Sequence, residues 1–100
     1  MQDSIKAENV EVSNELKEKI SQKLDQVRHH VDQPLGIAVH LKESGGKLCH
    51  VTLHTHFAKK DLAASGEAHD FFTALSEAKE ALLRQIDKIH DKKLSKRHRA

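Results

Sequence analysis

The sequence predicts an α+β domain in which a four-stranded mixed sheet has two helices packed on one face. Two stretches carry apolar residues at three- and four-residue spacing, which is typical of amphipathic helices. The block between them alternates apolar and polar residues, which is typical of strands with one buried face. The 100 residues, 37% of them hydrophobic, suffice for one domain with a single core between two layers.

The first helix is predicted to begin after Ser13 and to end at about residues 30–32. Ser13 is a suitable N-cap, and Glu15 places negative charge in the first turn, where the helix dipole favours it. A short strand at 4–7 precedes this helix. Pro34 ends the helix because proline disfavours the α conformation of the residue before it. The apolar stripe consists of Leu16, Ile20, Leu24, Val27 and Val31.

Three further strands are predicted at 35–42, 47–57 and 61–68. A turn at 43–46 joins the first two, because Gly45 and Gly46 tolerate the positive φ of a tight hairpin. In the strand at 47–57 the odd-numbered residues are predicted to face the core and the even-numbered residues to face outwards. The order β-α-β-β-β-α implies a right-handed parallel crossover followed by antiparallel hairpins.

The last third of the chain is predicted to be one long helix with a basic end. Asp70 is a suitable N-cap. Residues 79–100 contain eight basic and three acidic residues, a net charge of +5, whereas residues 1–78 sum to −3. This asymmetry favours a polyanion as partner. We expect residues 1–95 to form the domain and 96–100 a disordered basic tail. The apolar stripe consists of Phe71, Leu75, Ala78, Leu82, Ile86 and Ile89.

Composition argues against several classes of protein. The sequence has no apolar run long enough to span a bilayer and no signal-peptide segment, and its single cysteine, Cys49, suits a reducing compartment. We therefore expect a cytoplasmic protein that does not contact membranes. Cys49 is predicted to be buried, and no Gly-rich phosphate loop or nucleophile–base pattern is recognisable. We expect no enzymatic activity, no cofactor and no small-molecule substrate.

The nine histidines raise the question of a metal site. His50, His54 and His56 share the outward face of one predicted strand, and His40 is a possible neighbour on the strand before. Side chains of one parity lie about 6.6–6.8 Å apart along a strand, too far for one strand to surround a tetrahedral ion. The pattern therefore favours a polar sheet face over a metal site. Histidines that gain charge at low pH would add positive potential to this face.

Three segments resemble one known family, the short ribosome hibernation-promoting factors, also called ribosome-associated inhibitor A or sigma-54 modulation proteins. The resemblance extends from about residue 5 to residue 92. The family fold is β-α-β-β-β-α, the order inferred above, and it resembles that of double-stranded RNA-binding domains. The three segments are Glu8-Asn9-Val10-Glu11-Val12-Ser13, Ala64-Ser65-Gly66-Glu67-Ala68-His69-Asp70-Phe71-Phe72 and Arg84-Gln85-Ile86-Asp87-Lys88.

This resemblance implies a function and a set of contact residues. Family members are implied to bind the small ribosomal subunit in the decoding region, where mRNA and tRNA lie, and to silence translation in stationary phase or stress. Ala81 and His90 depart from the family pattern, since lysine is usual at both positions. The residues that match basic positions of the family are Arg84, Lys88 and Lys92 in the second helix, and Lys17 and Lys23 in the first. Lys79 and Lys93, with His90, complete the predicted rRNA-binding set, and Lys96, Arg97 and Arg99 add charge in the tail.

The expected partners are the small ribosomal subunit and its rRNA. The resemblance to the short form implies that a separate ribosome-pairing factor acts with the protein in some bacteria, and we expect a monomer away from the ribosome. Two other functions stay open at this point. One is a general double-stranded RNA-binding module. The other is a protein-interaction module that modulates a transcription factor, as the older family name suggests.

Overall fold

The computed structural model describes residues 4–8, 10–31, 35–57 and 59–98, except for the side chains of residues 90–98. The predicted element order is confirmed. No helix in these ranges is long and apolar enough to cross a membrane. The elements are β1 (Ser4–Glu8), α1 (Asn14–Val31), β2 (Ile37–Ser44), β3 (Leu48–Phe57), β4 (Lys60–Ala68) and α2 (Phe71–His98).

The four strands form one sheet in the order β1-β2-β3-β4. β1 runs parallel to β2, with Ile5 beside Val39, whereas the pairs β2–β3 and β3–β4 are antiparallel. The predicted mixed sheet is therefore confirmed. The parallel pair has the longest connection because α1 must cross between its strands, and the antiparallel pairs need only short turns.

One face of the sheet forms the core, as the alternating pattern predicts. In β3 the odd-numbered residues from Cys49 to Thr55 are buried, and in β4 the buried residues are Leu62, Ala64 and Gly66. Thr55 is the one buried polar residue recorded in the described chain, and its hydroxyl donates to the Gly36 carbonyl at 2.8 Å. That hydrogen bond removes most of the cost of burying the hydroxyl.

The predicted cap and apolar stripe of α1 are confirmed. The Leu16 amide donates to Ser13 Oγ at 3.1 Å, which satisfies one of the amides left without a partner at a helix start. At the other end, Arg28 Nη1 donates to the Leu35 carbonyl at 3.1 Å and so links the last turn of α1 to the start of β2. Pro34, the predicted helix stop, lies outside the described residues, and α1 ends at Val31.

The predicted position of the β2–β3 turn is wrong by about two residues. The ladder continues through Glu43 and Ser44, which pair with Cys49 and Leu48, so the turn falls at residues 45–47. Gly46 has a φ of 82° and Lys47 has a φ of 60°. The strand pairing extends β2 past the predicted stop, and a lysine rather than a second glycine takes the left-handed conformation.

α2 begins at the predicted cap and lies very close to β4. The Thr73 amide donates to Asp70 Oδ1 at 2.7 Å, and the Ala74 amide donates to the Asp70 carbonyl at 3.1 Å. A Cβ atom added to Gly66 would lie 2.3 Å from the Ala74 carbonyl oxygen. The absence of a side chain at Gly66 therefore allows the helix backbone to pack directly on the strand. Farther along α2, Gln85 Nε2 donates to the Ala63 carbonyl at 2.7 Å.

Candidate nucleic-acid interface

The exposed face of α2 changes charge along its length. Glu77 and Glu80 lie exposed in the first half of the helix, and Arg84 and Lys88 lie exposed farther on. Arg84 and Lys88 are four residues apart, so their side chains point to nearly the same side of the helix. We call this pair the basic row.

The basic row stands on a helix that is fixed against the sheet. On the opposite side of α2 from the row, Leu75, Ala78, Leu82 and Ile86 are all buried in the core. The fully buried leucines each contribute roughly 1.5–3 kcal/mol to holding the helix on the sheet. The guanidinium and ammonium groups of the row are therefore presented from a rigid element.

Polar contacts join the two helices side by side. Lys79 Nζ donates to Gln26 Oε1 at 2.8 Å, and His30 Nε2 lies 2.8 Å from Asp87 Oδ1. The two contacts advance in the same direction along both helices, so α1 and α2 run parallel. Lys79 also lies 3.6 Å from the Glu80 carboxylate, and its side chain is only 14% exposed. This lysine, one of the predicted rRNA contacts, is therefore directed at α1.

The predicted contacts on α1 lie on two different sides of the helix. Lys23, which is half-buried, precedes Gln26 by three residues and so lies on the flank that faces α2. Lys17 precedes Gln26 by nine residues, about two and a half turns, and lies on the opposite flank. Lys19, exposed and about two turns before Gln26, shares the flank of Lys23. The sequence analysis missed Lys19 because only the contact between Gln26 and α2 identifies this flank.

The remaining predicted contacts fall on the last part of α2. The side chains of His90, Lys92 and Lys93 lie outside the described residues, and these contacts stay predictions. The helix itself continues to His98, past the boundary predicted at residue 95. Residues 99–100 are not described, so the disordered basic tail also stays a prediction.

Arg84 lies at the rim of a depression of about 490 Å³ beside α2. Glu77 and Glu80 line the same depression, so the positive charge of Arg84 is partly offset on this side. Ala81 also lines it and packs against the core. The other lining residues are Ser65, Thr73 and Ser76.

The outward histidines of β3 lie where the alternation predicts, and His50 and His56 pair with neighbouring carboxylates. His50 Nδ1 lies 2.9 Å from Glu67 Oε2, and its Nε2 lies 3.0 Å from Ser44 Oγ. His56 Nδ1 lies 2.9 Å from Asp61 Oδ1. His54 is exposed on the same face. Across the ranges that the structure describes, no three His, Cys, Asp or Glu side chains come together as a metal site would need.

The side chains of Ser44, His50 and Glu67 form a hydrogen-bonded series across three strands. Sequence reasoning did not find this series because the strand register brings the three residues together.

Cys49 is buried as predicted, and burial raises the pKa of its thiol, with the carboxylates of Glu43 and Asp70 adding to the effect. A raised pKa leaves little thiolate at neutral pH, so Cys49 is a poor nucleophile.

Residues 4–94 match the family described as sigma 54 modulation protein / S30EA ribosomal protein. The chain belongs to this family. The match includes all four strands, α1 and most of α2, and it confirms the family resemblance inferred from the three sequence segments. No match was found among curated protein sequences.

Two solved structures share the fold of this S30EA family member. The N-terminal domain of Protein Y from Thermus thermophilus superposes with a TM-score of 0.76 at 20% identity, covering 89% of this chain and 99% of that one. A ribosomal subunit interface protein from Coxiella burnetii superposes with a TM-score of 0.78 at 18% identity, covering 91% of this chain and 99% of that one. At these identities the likeness establishes the fold.

Proposed function

We propose that this S30EA family member is a ribosome-associated translation inhibitor that binds the small ribosomal subunit in the decoding region. The observation that carries the proposal is the basic row of Arg84 and Lys88, exposed on a rigid helix in a chain of this family. Its inhibition is steric, because a domain in that region occupies the space that mRNA and tRNA need. It acts in the cytoplasm, in stationary phase or stress.

The basic row binds rRNA through its phosphates. Each phosphate that a lysine or arginine neutralises releases condensed counterions, and this release favours binding without reading the base sequence. The predicted contacts Lys92, Lys93 and His90 fall later in the sequence of the same helix and stay predictions.

α1 supplies a second line of contacts beside α2. Lys23, and with it Lys19, lies on the flank next to α2, whereas the basic row lies on the side of α2 turned away from α1, so the two groups of cations bind different parts of the RNA. Lys17 on the far flank reaches a different part of the RNA. Lys79 has a further role, since its contact with Gln26 holds the two helices in register.

Sedimentation and translation assays test the proposal together. Purified protein is mixed with small ribosomal subunits at low salt and run through a sucrose gradient, and mRNA-directed synthesis is measured in parallel. We expect the protein to travel with the subunits and to inhibit synthesis. Protein that stays at the top of the gradient and leaves synthesis unchanged contradicts the proposal.

A general double-stranded RNA-binding module is the second candidate, and the two helices on one face of a sheet favour it. Such a surface can present charge across an A-form helix. Titration against a plain RNA duplex and against small subunits separates the two functions. Similar affinity for both favours the general module, whereas a strong preference for the subunit favours the ribosomal function.

A third candidate, modulation of a transcription factor, is favoured by the description of the family as sigma 54 modulation proteins. Under this function the binding surface need not be basic. Charge reversal of Arg84 and Lys88 therefore leaves binding to the protein partner intact, whereas it weakens binding to ribosomes under the first proposal. We regard ribosomes as the partner because the basic row has no role in the third candidate.

A further inference from the structure

The face of the sheet turned away from the helices is rich in histidine. We call it the outer sheet face; it consists of the even-numbered residues of β1, β2 and β3 and the odd-numbered residues of β4. His54 is exposed, and the side chains of His40, His50 and His56 are 40%, 29% and 66% exposed. Four histidines are therefore within reach of solvent on one face that neither helix covers.

The same face holds three carboxylates, and each has a histidine close by. His40 Nε2 lies 3.7 Å from Glu8 Oε2. The pairs His50–Glu67 and His56–Asp61 are closer, at 2.9 Å each. Each carboxylate comes from a strand next to that of its histidine, so protonated histidines would be placed to neutralise all three.

Two lysines complete the charged groups of this face in the described chain. Lys42 lies between Glu8 and His50 in the register, and Lys6 lies beside His40. Lys42, His40 and His50 also line a shallow depression of about 250 Å³ with Ser44 and Thr52. Both lysines therefore lie near His40 and His50, whereas His54 and His56 lie farther along β3.

The formal charge of the face depends on the histidines. With neutral histidines, two lysines and three carboxylates give −1; with all four histidines charged, the sum becomes +3. Histidine is the side chain that changes charge between about pH 5 and 8. We propose that the outer sheet face is a second RNA-binding surface that engages phosphates when its histidines are protonated.

RNA fits this surface better than an anionic membrane does. Peripheral membrane binding requires apolar side chains that enter the lipid as well as positive charge. The exposed large hydrophobic residues in the described chain are Ile5 and Phe72, and neither belongs to the outer sheet face. Its side chains are polar apart from Ala38, Ala63 and the half-buried Leu48 at the start of β3. A polar surface with added positive charge suits a phosphate backbone.

The second surface is independent of the basic row. The row lies on α2, which packs against the buried face of the sheet, and the depression beside Arg84 reaches the outer sheet face only at Ser65 on the edge strand β4. A protonated protein can therefore contact one RNA segment with its helices and another with its sheet. RNA binding by the outer sheet face therefore does not depend on whether the basic row binds the ribosome.

The test removes the basic row and then changes the pH. The double variant Arg84→Glu/Lys88→Glu is titrated with a fluorescein-labelled RNA duplex by fluorescence anisotropy at constant ionic strength. We expect affinity to rise by about tenfold or more, about 1.4 kcal/mol, between pH 7.5 and 5.5. No rise in affinity at low pH overturns the inference.

Two sets of histidine variants in the same background locate the effect. Glutamine at all four outer-face positions (40, 50, 54 and 56) should remove most of the rise. The matched control His29→Gln/His30→Gln/His69→Gln changes exposed histidines elsewhere and should keep it. A rise that survives the first set, or disappears with the control set, overturns the inference.

Folding and membrane binding are checked in the same conditions. Circular dichroism at both pH values verifies that each variant is folded, and His40→Gln/His54→Gln replaces the fourfold variant if that one unfolds. This double variant should lose a large part of the rise in RNA affinity at low pH. Vesicles containing anionic lipid are titrated at pH 5.5 as a second probe. Binding to them as tight as to RNA, with the same histidine dependence, overturns the assignment of RNA as the partner.

Discussion

Gly66 is the residue whose lack of a side chain decides how closely α2 approaches the sheet. An added Cβ would lie 2.3 Å from the Ala74 carbonyl oxygen and 2.7 Å from the Ala78 amide nitrogen. Both are backbone atoms of the helix, so they cannot rotate away as the end of a side chain could. The helix would have to move outwards as a whole, and it carries the basic row with it.

We predict that Gly66→Ala destabilises the protein by about 3 kcal/mol, at the upper end of what overpacking usually costs. Urea denaturation followed by circular dichroism measures the change. Gly45→Ala is the matched control, because a Cβ there meets nothing within 4 Å. Equal stability of the two variants would show that α2 does not need the close approach at Gly66.

Asp70 is a second residue with a local role, since its carboxylate accepts hydrogen bonds at the start of α2. The hydrogen bond from the Thr73 amide is the main cause that lowers the pKa of this carboxyl below its usual value, and the Thr73 hydroxyl adds to it. A carboxyl with a lowered folded-state pKa stabilises the fold above its unfolded-state pKa. This stabilisation is lost as the pH falls through the folded-state value.

We predict that Asp70→Asn removes this part of the acid sensitivity. Asparagine also caps helices but does not titrate, and it lacks the negative charge that interacts favourably with the start of a helix. The melting temperature of the wild-type protein should fall towards that of the variant as the pH drops below about 4, and should be the higher of the two near neutral pH. Parallel melting curves over this pH range would mean that the Asp70 carboxylate contributes nothing specific.

At the scale of the element, α2 separates its charges along the axis. Glu77 and Glu80 lie on the exposed face ahead of Arg84 and Lys88, and the two glutamates share a depression with Arg84. Negative charge so close to Arg84 opposes the approach of a phosphate. We therefore expect the second half of the helix, rather than the first, to bind phosphate.

Reversing the basic row tests this half of α2. We predict that Arg84→Glu/Lys88→Glu weakens binding to small subunits by more than about tenfold at pH 7.5, a loss of at least 1.4 kcal/mol. Lys47→Glu/Lys59→Glu makes the same change of charge in the two hairpin turns, outside both helices and the outer sheet face, and should have a much smaller effect. Equal losses of affinity in the two charge-reversal variants would show that net charge, rather than the basic row, governs binding to small subunits.

Neutralising the acidic half should have the opposite effect. We predict that Glu77→Gln/Glu80→Gln strengthens RNA binding by about three- to fivefold, as expected for removal of two nearby like-charged groups from a polyanion's path. Anisotropy titration at low salt measures the gain. The gain should shrink as salt screens the charges. A loss of affinity would instead place the two glutamates in direct contact with the partner.

At the scale of the whole molecule, binding should depend on ionic strength through the number of phosphates contacted. Arg84→Ala/Lys88→Ala should reduce the slope of log affinity against log salt by roughly two, one for each cation lost. Titrations at roughly 50 to 200 mM salt measure the slope. An unchanged slope would mean that neither residue neutralises a phosphate, whatever its effect on affinity.

The fold could be predicted from the sequence because its elements differ in period. The apolar steps from Leu16 to Val31 fit only a helix, and the alternation in 48–57 fits only a strand with one buried face. The position of the β2–β3 turn could not be predicted from the sequence. Lys47 takes a positive φ, which usually favours glycine, and the pairing of Glu43 and Ser44 with β3 decides where β2 ends.

The candidate site was partly predictable for the same reason. The exposed positions of Arg84 and Lys88 follow from the helical period, whereas the contacts Gln26–Lys79 and His30–Asp87 join helices distant in sequence. No local pattern indicates which polar side chains will meet across a helix pair. The contact of Lys79 with α1 could therefore not be predicted from the sequence.

The hydrogen bond from Gln85 to the Ala63 carbonyl has a consequence for how the protein can associate with copies of itself. β4 is an edge strand, and an added strand needs the carbonyl and amide groups along such an edge. Gln85 already occupies one of these carbonyls, so a strand arriving at β4 must first displace a side chain held by a packed helix. Addition of a strand from another copy is therefore disfavoured at β4. We expect aggregation by strand addition to begin at the other edge strand, β1.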